Sequence, residues 1–249
     1  MNNSSSLSEK EIKAIQDALK KDKKPTIGLV GVSGVGKTST INKMFKTHLP
    51  VSATIACTKN FETIDLELSM NQGIAKGQPI ELTVVDAPGL AEDIKLDSQY
   101  LEMYHQHLPN CDVILYVLAA RNRAIALDQM YLEKLKSFHQ NMVFAINQVD
   151  LLDPMEWNEK INLPSDHQLA NIQEVIKDRT EKLESVVEKE INLIAYSSKT
   201  GYNLQELFSS LLDACPPERK WLFQGLKSFH FTDFIPKEAL AHLRQQGLI

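Results

Sequence analysis

The sequence predicts an α/β fold with a mostly parallel six-stranded sheet, one antiparallel edge strand and helices on both faces. Three observations predict it. Short apolar, β-rich runs alternate with helical patterns along most of the chain, which is how parallel sheets with crossover helices read. The first run ends in a glycine-rich loop that opens directly into a helix. Only one pair of runs is joined by a short turn-rich stretch, Met70 to Pro79, so only that pair forms a hairpin, with its first strand at the sheet edge.

The strands are expected at Thr26–Val30, Ile64–Ser69, Ile80–Asp86, Val113–Ala119, Met142–Asn147 and Ile191–Tyr196. Helical patterns lie at Ser39–Lys46, Ser98–His107, Leu127–Gln140, His167–Val187 and Leu204–Ala214. In the long connection between Asp150 and Ser197, Leu169, Ile172, Ile176, Leu183 and Val187 form a helical stripe that packs on the sheet. Trp157 in the same connection reads as a packed loop residue. Ligands in such sheets sit beyond the carboxyl ends of the strands.

Three segments are expected. Residues 1–23 form a polar tail and an amphipathic helix with Leu7, Ile12, Ile15 and Leu19 on one face. Residues 24–215 form the sheet domain. Residues 216–249 form an aromatic-rich helical extension with Trp221, Phe223, Phe229, Phe231 and Phe234, expected to pack back on the domain.

Composition narrows the function classes. The chain has 249 residues, 43% of them hydrophobic, and a formal net charge of −5, so a general nucleic-acid-binding surface is not indicated. Three scattered cysteines, Cys57, Cys111 and Cys215, form no CxxC or Cys/His pattern, which argues against a disulfide framework or a zinc site. The polar N-terminus has no apolar signal core, and the longest apolar run, Val113 to Ala120, is too short to span a bilayer. A cytoplasmic location is expected.

The chemistry begins at Gly31-Val32-Ser33-Gly34-Val35-Gly36-Lys37-Thr38, which matches G-x-x-x-x-G-K-[ST] at every fixed position. Glycine-rich backbone turns successive N–H groups onto one phosphate chain, and the following helix, with Ser39 in its first turn, adds its positive end. Lys37 would reach the β- and γ-phosphates, and the Thr38 hydroxyl would hold Mg²⁺.

Four further elements fall at strand ends, in order. Asp86-Ala87-Pro88-Gly89 offers a carboxylate toward Mg²⁺ and a backbone N–H from Gly89 toward the γ-phosphate. That contact exists only in the triphosphate state. Asn147-Gln148-Val149-Asp150 offers a carboxylate to the N1–H and N2–H₂ edge of guanine, which adenine lacks. Ser197-Ser198-Lys199 forms a small-residue turn whose backbone reaches guanine O6. Thr58, with Thr54 as the competing candidate, lies in a loop placed to complete the Mg²⁺ shell.

The set GVSGVGKT, CT, DAPG, NQVD and SSK resembles the guanine-nucleotide motifs of the translation-factor-class GTPases, near the Era/TrmE-like group. The segment NQVDLLDPMEWN, followed by HQLANIQEVI, is closest in pattern to the bacterial YfjP/YeeP-type GTPases. The resemblance covers roughly residues 24 to 215. It implies a P-loop NTPase G domain binding GTP or GDP with Mg²⁺, and hydrolysis that acts as a switch. Lys37, Thr58 and Gly89 would be catalytic, and Thr38, Thr58 and Asp86 would hold Mg²⁺. Gly31, Ser33, Gly34, Val35, Gly36, Lys37, Thr38, Ser39, Asp86 and Gly89 would line the phosphates. Asn147, Gln148, Asp150, Ser197, Ser198 and Lys199 would line guanine.

Three departures qualify this expectation. Gln148 stands where the family has a lysine whose stem covers the base, which weakens affinity without abolishing it. Leu90 follows Gly89 where Ras-type switches carry a water-orienting glutamine, so unaided hydrolysis is expected to be slow. Glu92, Asp93, a backbone group or a partner residue are the substitutes. Gly34 stands where some relatives use an asparagine to hold K⁺, so no K⁺ stimulation is expected by that route. The segment after Cys215 contains no G-x-x-G loop, so a KH domain is not expected. A GTP-dependent scaffold with little hydrolysis is the alternative function. A protein effector or self-association is open as partner, and a ribosome, RNA or membrane-periphery contact is open too, though no residue pattern supports it. DNA is not expected.

Overall fold

The computed structural model describes residues 24–51, 60–69, 79–91, 94–122 and 125–216. The expected N-terminal helix, the aromatic extension beyond residue 216, Cys57, Thr54, Thr58, Glu92 and Asp93 lie outside the described residues.

The first strand, β1, is Thr26–Val30, and every one of its five residues is buried. It is followed by the glycine loop and helix α1, Lys37–Phe45. The hairpin comprises β2, Glu62–Ser69, and β3, Pro79–Asp86, which pair antiparallel from Glu62–Asp86 to Ser69–Pro79. Helix α2, Ile94–His107, leads to β4, Val113–Ala119, and helix α3, Ala126–Lys134, leads to β5, Met142–Asn147. A short hairpin of two-residue strands, β6 (Trp157–Asn158) and β7 (Leu163–Pro164), precedes α4, Asp166–Val187. The last strand is β8, Leu193–Ala195, and the last described helix is α5, Leu204–Asp213.

The large sheet has the order β2-β3-β1-β4-β5-β8. All neighbours except β2 and β3 run parallel. The register is what matters for function. Leu29 stands beside Asp86, and Ala119 beside Asn147. The D-x-P-G turn and the glycine loop therefore leave the sheet at neighbouring carboxyl ends, and the N-Q-V-D turn leaves at the same edge two strands from β1, across β4. β1, β4 and β5 read as continuous apolar runs because both their faces are covered, as parallel strands require. Tyr104, Tyr116, Phe144 and Phe208 are among the largest fully buried side chains.

The structure corrects several local expectations. The helical pattern from Leu127 breaks after Lys134 and continues as a 3₁₀ segment, Lys136–Asn141. The β6–β7 hairpin is too short to carry a periodicity signal. Within α4, Ile172, Leu183 and Val187 are buried as expected, but Leu169 is exposed and the neighbouring Gln168 turns inward. Ser165 caps this helix by accepting from the Gln168 backbone N–H at 3.1 Å. Trp157, expected as a packed loop residue, is half-buried and opens β6. Its indole N–H donates to Asn162 Oδ1 at 3.1 Å, and its ring meets Tyr202 edge-on.

One buried polar cluster joins β4, α3 and α4. Tyr116 donates to Asp128 Oδ1 at 3.1 Å, and the Arg179 guanidinium, also bound to Asn122 O at 2.9 Å, lies close enough to favour the charged carboxylate. Burial nevertheless dominates and pushes the Asp128 pKa from 3.8 up to about 6. A raised carboxyl pKa means the native state binds its proton more tightly than the unfolded chain. The cost of burying the charge is absent below about pH 4, grows as pH rises to about 6, and is full above that, at about 3 kcal/mol. Asp128→Asn keeps an acceptor for Tyr116 and should gain stability over wild type at pH 7.5. That gain should shrink toward zero at pH 4, as read by urea unfolding at the two pH values.

Candidate functional site

The glycine loop takes its shape from backbone that other residues cannot copy. Gly31, Gly34 and Gly36 have φ of 150°, 80° and 91°. A Cβ at Gly31 would lie 2.3 Å from the Val117 carbonyl oxygen, and one at Gly36 would lie 2.4 Å from Asn147 Nδ2. At Gly34 a Cβ would meet nothing within 4 Å, so this glycine serves the turn rather than the packing. Lys37, in the first turn of α1, folds its buried ammonium back into the loop. It donates to the carbonyls of Gly31 at 2.9 Å and Val32 at 3.3 Å. Val35 is buried, while Ser33, Thr38 and Ser39 are half-buried at the loop mouth.

Asp86 ends β3 and is fully buried, and its Oδ2 accepts the Thr38 hydroxyl at 2.6 Å. Two hard oxygen donors thus meet beside the loop. That donor set fits Mg²⁺, which typically takes one or two protein oxygens and completes its shell with water and substrate phosphate. Beyond Asp86, the chain turns back onto the glycine loop. Ser33 N–H donates to Leu90 O at 2.8 Å, and Leu90 N–H to Gly31 O at 3.3 Å. Gly89 lies so close to Ser33 that a Cβ would come within 2.7 Å of its Cα. The Leu90 side chain is fully buried.

The second half of the site hangs on Asn147. Its Nδ2 donates to Val35 O at 2.9 Å and to Ser198 Oγ at 3.0 Å, while its Oδ1 accepts from Ser198 N–H at 2.9 Å. Gln148, in the left-handed region at φ 66°, donates from Nε2 to Gly34 O at 3.0 Å. Adjacent residues therefore bind two points of the glycine loop. Asp150 follows in a 3₁₀ turn and is buried. Ser197 is fully buried, and its hydroxyl accepts from Thr200 N–H at 3.0 Å, so the side chain shapes the turn. Lys199 is exposed at the tip. Hydrogen bonds and close contacts thus link the glycine loop to Gly89, Leu90, Asn147 and Gln148, Thr38 to Asp86, and Asn147 to Ser198, while Thr58, its competitor Thr54, Glu92 and Asp93 lie outside the described residues.

Two supporting residues carried no signal in the sequence. Tyr196 is fully buried, and its hydroxyl pairs with Thr40 Oγ1 at 2.7 Å, joining the end of β8 to α1. Gln168, on α4, donates from Nε2 to the carbonyls of Leu152 at 2.9 Å and Asp150 at 3.2 Å, and lies 3.5 Å from that of Val149. One amide therefore organises the carbonyls of the turn that carries Asp150. Gln148 and Gln168 look alike in sequence, and only the fold distinguishes the one on the surface from the one inside. Gln168→Met keeps the length but removes the donor, and should cost about 2–3 kcal/mol in urea unfolding. Ser165→Ala, which removes the helix cap and an exposed hydrogen bond to Glu156 Oε2 at 2.8 Å, should cost about 1 kcal/mol.

Residues 26–148 match the family model described as 50S ribosome-binding GTPase. YfjP of Escherichia coli (strain K12), described as uncharacterized, is 31% identical over 151 residues, covering 59% of this chain and 48% of that protein. GTPase Der of Azotobacter vinelandii (strain DJ / ATCC BAA-1303) is 29% identical over 131 residues, covering 52% of this chain and 25% of that protein. The chain spans about half the length of the first relatives it matches. Among solved structures, a point variant of Aquifex aeolicus Era bound to GDP·AlF₄⁻ superposes with a TM-score of 0.55 at 23% identity, over 78% of this chain and 58% of that one. Era in complex with MgGDPNP and a stretch of 16S ribosomal RNA gives 0.56 at 21%, over 78% and 57%. These structural likenesses show the fold. Residues 26–148 therefore match a GTPase domain, and with the glycine loop, Asp86 and Asn147 at the carboxyl ends of one sheet the chain fits a bacterial translation-factor-class GTPase.

Proposed function

We propose that this chain binds GTP and Mg²⁺ and hydrolyses GTP to GDP and phosphate, slowly on its own, as a cytoplasmic nucleotide-dependent switch. The observation that carries this reading is Asn147, whose amide joins the phosphate loop to the Ser198 turn beside the buried Asp150. A site for any nucleoside triphosphate needs the loop alone, whereas the Asn147–Asp150 arrangement supplies what a guanine base requires.

The roles follow from position. The backbone N–H groups of Ser33 to Thr38 and the Lys37 ammonium take the phosphate chain. Positioning and charge neutralisation then supply most of the catalysis. Mg²⁺ held by Thr38, Asp86 and Thr58 would neutralise charge on the β- and γ-oxygens. Gly89 N–H reads the γ-phosphate, and its loss on hydrolysis is the switch. Asp150 accepts the guanine N1–H and N2–H₂, the Ser198 turn reaches O6, and Gln148 covers the loop side of the base. Residues 24–215 act as the G domain, and 1–23 and 216–249 are its extensions.

Leu90 supports the slow rate and also a second reading. Its side chain is buried and its backbone is bonded to the glycine loop, so it neither reaches nor orients a water. A group from a protein effector or a second copy would then complete the reaction, or the chain would serve as a GTP-dependent scaffold. Single-turnover assays with Mg²⁺ separate the two, because a measurable first-order release of phosphate is expected from the enzyme and none from the scaffold. Asp150→Asn should weaken GTP binding by about two to four orders of magnitude and improve binding of xanthosine triphosphate, read by fluorescent-nucleotide competition. An unchanged preference removes the guanine assignment.

A further inference from the structure

The loop that follows Asp86 is fastened at two points by side chains that the sequence motifs do not include. Tyr104, on α2, is fully buried and donates its hydroxyl to Pro88 O at 2.6 Å. That hydroxyl ties the residue before Gly89 to α2. Burial, with the nearby Asp86 carboxylate, holds the Tyr104 pKa well above its ordinary value, so the phenol stays a donor at any physiological pH. The Tyr104 ring also meets Phe61 edge-on, with centroids 5.2 Å apart and planes at 78°. Phe61 directly precedes β2 and stands three residues after Thr58 in the sequence. Three residues past Pro88, the Ala91 N–H donates to Asp97 Oδ1 at 3.1 Å, and the Tyr131 hydroxyl of α3 binds the other oxygen of that carboxylate. Ala91 itself has φ 60°, a conformation that an alanine holds only when its surroundings impose it.

We infer that Tyr104 and Asp97 are positioning residues for the γ-phosphate: they clamp Pro88 and Ala91 so that the intervening Gly89 N–H stays beside the phosphate loop. This rests on the GTPase reading above. Their hydrogen bonds act on a loop that contacts the γ-phosphate and nothing else of the nucleotide. Loss of the clamp therefore weakens the triphosphate complex selectively. A purely structural role would lower stability and leave the ratio of the two affinities unchanged.

The experiment is nucleotide titration of the full chain with GDP and with a non-hydrolysable GTP analogue, both with Mg²⁺, for wild type, Tyr104→Phe and Asp97→Ala. Tyr104→Phe keeps the ring against Phe61 and removes only the hydroxyl. The expected result is a loss of analogue affinity of about fivefold to tenfold, with GDP affinity within about twofold of wild type. Asp97→Ala, away from the fully buried hydroxyl, should show the same selectivity and decides the matter if Tyr104→Phe does not fold. Equal loss for both nucleotides, or no loss for either, overturns the clamp while leaving the GTPase reading intact. A wild-type chain that binds neither nucleotide overturns the GTPase reading and the clamp with it.

Discussion

The interaction on which the site depends is the triple hydrogen bond of the Asn147 amide. Its Nδ2 and Oδ1 bind Val35 O, Ser198 Oγ and Ser198 N–H, so three loops from three strands share one planar group. An amide is the side chain suited to this, because it both donates and accepts within a fixed geometry. A carboxylate would lose the two donated bonds, and an aliphatic residue would leave buried backbone groups unsatisfied. The close packing of Gly36 against Nδ2 shows how little room the arrangement leaves. Gly36 is constrained from two sides, by its own backbone conformation and by the neighbour it must admit.

The sheet makes this possible. Parallel β1, β4 and β5 put their carboxyl ends on one edge, and a register that sets Ala119 beside Asn147 and Leu29 beside Asp86 fixes the depth of each turn. The support continues below the surface. Tyr196 with Thr40, Tyr104 with Pro88 and Gln168 with the turn around Asp150 each commit a buried side-chain polar group to a loop or helix at the mouth of the site. Buried polar groups demand partners, and here the partners are the segments that carry the chemistry.

Much of this was legible in the sequence, for physical reasons that can be named. Strands buried on both faces read as apolar runs, so β1, β4 and β5 have the bounds that their composition predicts. Fixed-position motifs encode backbone turns that only glycine adopts, so the glycine loop was readable residue by residue. The supporting polar residues were not, because Tyr104 and Gln168 sit in helical patterns where their types are ordinary and their partners lie far along the chain or across a turn. Leu169 failed as a core residue because periodicity cannot distinguish an inward position from its neighbour when an amide competes for the interior. The break in the pattern after Lys134 has a similar origin, since apolar spacing persists through a 3₁₀ turn as readily as through an α-turn.

The two margins of the sheet carry a consequence of another kind. Exposed strand margins invite other chains to pair with them. Here β2 bears Glu62 and Asp65 along its length, with Lys24 bridging Asp65 to Glu81 of the adjacent strand, and β8 is only three residues long. A foreign strand arriving at β2 would have to desolvate carboxylates, and one arriving at β8 would find too few backbone groups to hold it. The sheet is therefore closed to growth by addition, which keeps a fold rich in apolar strands from seeding its own aggregation.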